Sequence, residues 1–126
     1  MKLSNLMIAA AVIALVFGLG FILAPAGMMS LYDLKLNGAG EWLGRYFGSA
    51  LIGIAVASWQ ARNATKGEAL RAIVLGYFVL SLTGLVVVIL DKFTGSGNAL
   101  VWINVVVYLF LTAGFGYFQF VKPVAS

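Results

Sequence analysis

The sequence predicts an all-α membrane protein, a bundle of four transmembrane helices with a short segment lying at the interface. Three observations lead there. Apolar runs at about residues 6–24, 42–59, 70–90 and 100–121 each reach the roughly 17–25 residues that a helix needs to cross a hydrocarbon core. Of the 126 residues, 63% are hydrophobic and only 10% are charged, against about a quarter charged in ordinary soluble domains. The charged residues and tryptophans gather at the ends of the runs, where a membrane–water interface would hold them.

Met1-Lys2 precedes the first run. Ala24-Pro25-Ala26 resembles a signal cleavage site, but the run exceeds the roughly 7–15 apolar residues of a signal peptide. It reads as a first spanning helix, ended by Pro25, which lacks an N–H and clashes with the preceding turn. Residues 27–40 carry Met28, Met29, Leu31, Tyr32, Leu34 and Leu36, too apolar a set for a free loop. The segment is too short and interrupted to span, so it is expected to lie at the interface, with a turn at Asn37-Gly38. The second helix is bracketed by Trp42 and Trp59. The third closes on Asp91-Lys92, residues 93–98 form a tight turn, and the fourth closes on Lys122-Pro123. No repeat or linker divides the chain, so residues 1–126 read as a single transmembrane domain.

Composition excludes much chemistry. There is no Cys and no His, which removes disulfides, thiolate metal sites, Cys nucleophiles and His general bases. No phosphate loop or nucleophile elbow occurs. No carboxylate lies deep in a run, where proton-coupled transport normally needs one. The reading is therefore of a protein that is not an enzyme and takes no metal or cofactor. The formal charge of +4 comes from eight basic and four acidic residues scattered at helix ends. That pattern fits membrane topology, not nucleic acid. With the N-terminus cytoplasmic, Lys2, Arg62, Lys66, Arg71 and Lys122 fall inside, against Lys35, Arg45 and Lys92 outside. Both termini are thus expected to be cytoplasmic.

The second helix carries the candidate site. Residues four apart share a helix face. Gly40, Gly44 and Gly48 form one ridge; Arg45, Ser49, Gly53 and Ala57 form another. In lipid, helices associate where small residues let backbones approach, so Gly44, Gly48, Gly53 and Ala57 are the candidate packing residues, within the bundle or in a homo-oligomer. Arg45 is the one charge inside an apolar run, one turn after Glu41. Two roles compete for it: an interfacial ion pair with Glu41, Asp33 or Asp91, or contact with an anion or lipid headgroup. Asn104, about one turn inside the fourth helix, sits at the depth expected for Arg45 and should point into the bundle. Glu41, Arg45, Ser49 and Asn104 are thus the candidate ligand or lipid contacts. Gly18, Gly20, Gly114 and Gly116 permit close crossings, and Ser81, Thr83 and Thr112 can bond the carbonyls of their own helices.

Leu23-Ala24-Pro25, the apolar stretch ending near Leu31-Tyr32, Arg45-x-x-Gly48 and Trp59-x-Ala61-Arg62 together resemble small four-helix bacterial membrane proteins, broadly DoxX-like. The resemblance covers most of the chain through loose motifs. It implies a four-helix bundle in a bacterial inner membrane, and no activity or site. Two functions are open at this point. One is a structural or accessory membrane protein, surrounded by lipid, that self-associates through its second helix; a ring, such as a pentamer, would suit so small a chain. The other is a passive pore, or a lipid- or small-molecule-binding protein with a pocket near Arg45 and Asn104.

Overall fold

The computed structural model describes residues 2–95 and 97–124. They form helices α1 (Leu3–Leu23), α2 (Pro25–Ser30), α3 (Gly38–Ala61), α4 (Glu68–Phe93) and α5 (Val101–Gly116), and α5 runs on into a π-helical turn, Tyr117–Val121. No strand occurs among the described residues. Among the described residues, three stretches are long and apolar enough to cross a membrane: α1 with 21 residues, α4 with 26, and α5 with its π-helical turn, 21 together. The expected count of spans is thereby reduced from four to three on length and composition. α3 has the length, 24 residues. Glu41, Arg45 and its several glycines and serines dilute its apolar character.

The boundaries differ from the expectation where local chemistry intervenes. α1 stops at Leu23, but Pro25 does more than end it. It occupies the first turn of α2, where a missing N–H costs nothing and the fixed φ favours the helix. Ala24 is non-helical between them, with φ −150° and ψ 68°. The segment expected at the interface is thus a break, a six-residue helix, a hydrogen-bonded turn at 31–33 and four residues without regular structure before α3. Asn37-Gly38 is a helix start, not a turn. The Asn37 side chain accepts a hydrogen bond from the Gly40 amide at 2.8 Å, satisfying one of the first-turn donors that no helical carbonyl can reach. The expected turn at 93–98 includes Ser96, which lies outside the described residues. Around it, Gly95 and Gly97 adopt φ of 83° and 71°, values that only glycine takes without strain.

The chain divides into two compact units: residues 7–62, and residues 63–126 together with 1–6. In the first, which we call the hairpin unit, α3 returns antiparallel to α1. The backbones cross at glycine: a Cβ on Gly48 would lie 2.8 Å from the Gly18 carbonyl oxygen, and one on Gly18 would lie 3.1 Å from that of Gly48. Phe21 meets Phe47 edge to face at 5.2 Å, and Pro25 lies against Gly44. Met28 of α2 folds back over Gly20.

In the second, the terminal unit, α4 and α5 pack antiparallel along their length. Tyr108 fills the space over Gly84. Tyr77 meets Phe115 and Phe78 meets Phe120, each edge to face at 5.2 Å. Leu6 packs on Gly114 and Phe78 on Gly116. The π register closes with the Lys122 amide bonded to the Tyr117 carbonyl at 2.9 Å. Thr112 departs from expectation. Its Oγ1 is buried with no hydrogen-bond partner. Ser58 does bond its own helix, donating to the Ile54 carbonyl at 2.7 Å.

Candidate functional site

α3 presents two faces of different character. Its inner face carries Gly44 and Gly48, and the helix lies against α1 and Pro25 through them. A Cβ on Gly48 would also sit 2.9 Å from Ile22 Cγ1 and 3.1 Å from the Ile22 amide nitrogen. The Gly44-x-x-x-Gly48 ridge is thus occupied within the chain. Gly40, which shares that ridge, lies nearest to Leu36 and the capping Asn37.

The second ridge points away. Arg45, Ser49, Gly53 and Ala57 are all exposed, and a Cβ on Gly53 would meet nothing within 4 Å. These two residues, Gly53 and Ala57, were expected to pack within the bundle or against another copy; within the hairpin unit they do not pack. Trp42 and Tyr46 flank the upper end of the stripe, edge to face at 6.4 Å. They line a shallow open groove with Gly38, Ala39 and Leu43.

Arg45 is exposed and Glu41 half-buried. Among the described residues, no ion pair joins them, so the expected Glu41–Arg45 pair is not formed. The physical reason is position. Glu41 belongs to the inward side of the helix with Gly44 and Gly48, whereas Arg45 lies on the outward side with Trp42, Tyr46 and Ser49. The i, i+4 spacing alone would allow a pair; the Arg45 stem instead follows the exposed surface outward. Asn104 belongs to the other unit. It is half-buried on α5 and has an interaction partner.

Two contacts at helix ends were not read from the sequence as interactions. Arg62 lies over the Trp59 ring, 4.0 Å from its centroid, and its Nη1 donates to the Trp59 carbonyl at 2.6 Å. Lys92 lies 5.8 Å from the Trp102 ring centroid, with its Nζ donating to the Asn98 carbonyl at 3.3 Å. A Trp and a basic residue three apart at a helix terminus was the available signal in the first case. In the second, the partners are separated by the α4–α5 turn. No group of three or more His, Cys, Asp or Glu comes together among the described residues.

Comparison of the chain with protein-family models, with curated proteins and with solved structures finds no match. The fold and site define the class at the level of a helical chain with, among the described residues, three helices long and apolar enough to span a membrane.

Proposed function

We propose that this chain is an integral membrane protein of structural or accessory type, with α3 as a fourth span, that associates with further copies of itself through the outward face of α3. The observation that carries the reading is the contrast between the two ridges of one helix. The Gly44/Gly48 ridge is filled by α1 and Pro25, while the Ser49/Gly53/Ala57 ridge is open. A bare small-residue stripe facing lipid makes poor dispersion contacts; against another helix it allows close backbone approach.

Several features support α3 as a span. Trp42 and Trp59 are both exposed, and helical rise separates them by about 26 Å, close to the hydrocarbon thickness of about 30 Å. Arg62 is stacked on Trp59 at the end where an interfacial anchor belongs. Arg45 lies about three residues inward of Trp42, within snorkelling reach of the surface. Exposed large apolar side chains, among them Leu23, Leu43, Phe93 and Val121, suit lipid as the solvent. The DoxX-like resemblance agrees with this reading, and with a bacterial inner membrane, without adding an activity.

Gly53→Leu is the direct test. The variant is expected to keep the thermal stability of the single chain, because nothing stands where its side chain would go. It should also shift the protein toward monomer in light scattering from mild detergent. Unchanged size in that measurement would sink self-association through this face. The orientation has its own check. With both termini cytoplasmic, a cysteine at Ala64 in the α3–α4 connection should resist an impermeant thiol reagent applied to intact cells, and labelling there would reverse the assignment.

The second reading, a lipid- or small-molecule site, has one specific observation in its favour: the exposed Arg45 directly precedes Tyr46, which lines a groove with Trp42 and Leu43. It competes for the same face of α3, and a bound amphiphile retained by wild type but lost from Arg45→Gln would favour it over self-association.

A further inference from the structure

Charge is distributed unequally between the two ends of the terminal unit. The antiparallel register of α4 and α5 is set by Gly84 under Tyr108 and by Tyr77 against Phe115. Continued outward, the same register brings Arg71, six residues before Tyr77, level with Lys122, seven residues beyond Phe115. Phe78 against Phe120 holds the two helices together close to that end. Lys66 lies two residues before α4. Leu6 packs on Gly114, two thirds of the way along the helical stretch that ends at Val121, and Lys2, one turn before Leu6, belongs to the same unit. Lys2, Lys66, Arg71 and Lys122 are all exposed. One acid, Glu68, accompanies these four bases. The opposite end holds Asp91 and Lys92, which balance, and there Lys92 is turned onto Trp102 and the Asn98 carbonyl.

Helix electrostatics accounts for Lys122, at the C-terminal end of the last helix, but not for the others. Lys2 and Arg71 sit at the beginnings of α1 and α4, where the helix dipole disfavours positive charge. α4 begins at Glu68 without a side-chain cap. Its length does supply a reason. Twenty-six residues rise about 39 Å, several ångströms more than the hydrocarbon core of about 30 Å. With Asp91 and Lys92 at one interface, the first turn of α4 stands in the headgroup layer of the other.

We infer that the Lys2/Lys66/Arg71/Lys122 end of the terminal unit is a docking surface for the phosphate headgroups of anionic phospholipids. The occupant is argued from charge complementarity: a net positive end at headgroup depth, opposite a balanced one, attracts anionic lipid in preference to zwitterionic lipid. The inference rests on the membrane reading above and is independent of self-association.

The test uses the full chain reconstituted in phosphatidylcholine vesicles, with trace spin-labelled phosphatidylglycerol or phosphatidylcholine as the probe. Wild type is expected to hold the anionic probe several-fold more strongly than the zwitterionic one at low salt, with the preference falling as salt rises. Lys2→Gln with Lys66→Gln, Arg71→Gln and Lys122→Gln should bring the ratio to parity, while Lys35→Gln with Arg45→Gln and Lys92→Gln should keep it. The milder pair Lys66→Gln and Lys122→Gln should lower it partway, and circular dichroism shows whether each variant retains its helices. Parity in the wild type, or loss of preference in the Lys35/Arg45/Lys92 variant alone, overturns the inference. Failure of the wild-type chain to resist carbonate extraction from the vesicles would overturn the membrane reading itself.

Discussion

Gly48→Leu is expected to be the most damaging single substitution in the hairpin unit. The space a side chain would enter is held by the Gly18 carbonyl oxygen at 2.8 Å, the Ile22 Cγ1 at 2.9 Å and the Ile22 amide nitrogen at 3.1 Å. Two of these three atoms are backbone, within a continuous helix, and cannot move without displacing α1. Even Gly48→Ala forces the helices apart, at a cost of about 1–3 kcal/mol by the usual range for overpacked cores. Leucine brings three further carbons and should exceed that range. Both variants should melt below wild type in detergent, in the order wild type, alanine, leucine. The control lies five residues on, on the same helix. Gly53→Leu meets nothing within 4 Å and should leave the melting temperature unchanged. Equal melting of wild type and Gly48→Leu would show that α1 and α3 do not cross at glycine.

The terminal unit has a comparable point at Gly84. The Tyr108 ring occupies the position that a Cβ would take, with three of its atoms in the way. The obstruction here is a side chain, so the outcome depends on whether that ring can turn aside. Tyr108 is half-buried between α4 and α5 and has an interaction of its own to lose. Gly84→Ala is therefore expected to cost about 1–3 kcal/mol, and Gly84→Leu more. Tyr108→Ala in the Gly84→Leu background should recover part of the loss, because the two changes share one volume and their effects cannot add. Additive losses in thermal unfolding would mean that the ring and the glycine are not in contact.

These two glycines mark different limits of legibility. Gly48 was visible as part of a small-x-x-x-small ridge, and its partner Gly18 as a glycine in a neighbouring apolar run. The spacing could not say which of two ridges on α3 would face α1, since both have the periodicity of a helix face. Gly84 was not singled out, because its partner is a large aromatic residue on another helix and no repeat surrounds it. Pro25 was legible as a stop but not as the first residue of α2. A proline forbids continuation of the helix behind it and equally suits the first turn of the next one.

By itself the sequence determined the helical, lipid-compatible character of the chain and the approximate extent of its long helices. These depend on composition and run length, which need no partner to be read. It also located the charges and the proline that end the runs, because they act within a turn or two of themselves, but it took the Asn37 cap of α3 for a turn. Tertiary structure alone decided which ridge of α3 is consumed by α1 and that Thr112 Oγ1 is left without a partner. It also decided the register that aligns Arg71 with Lys122. Each of those depends on the rotation and axial offset of one helix against another. Dispersion contacts between distant residues set both quantities, and a period of 3.6 residues leaves them open.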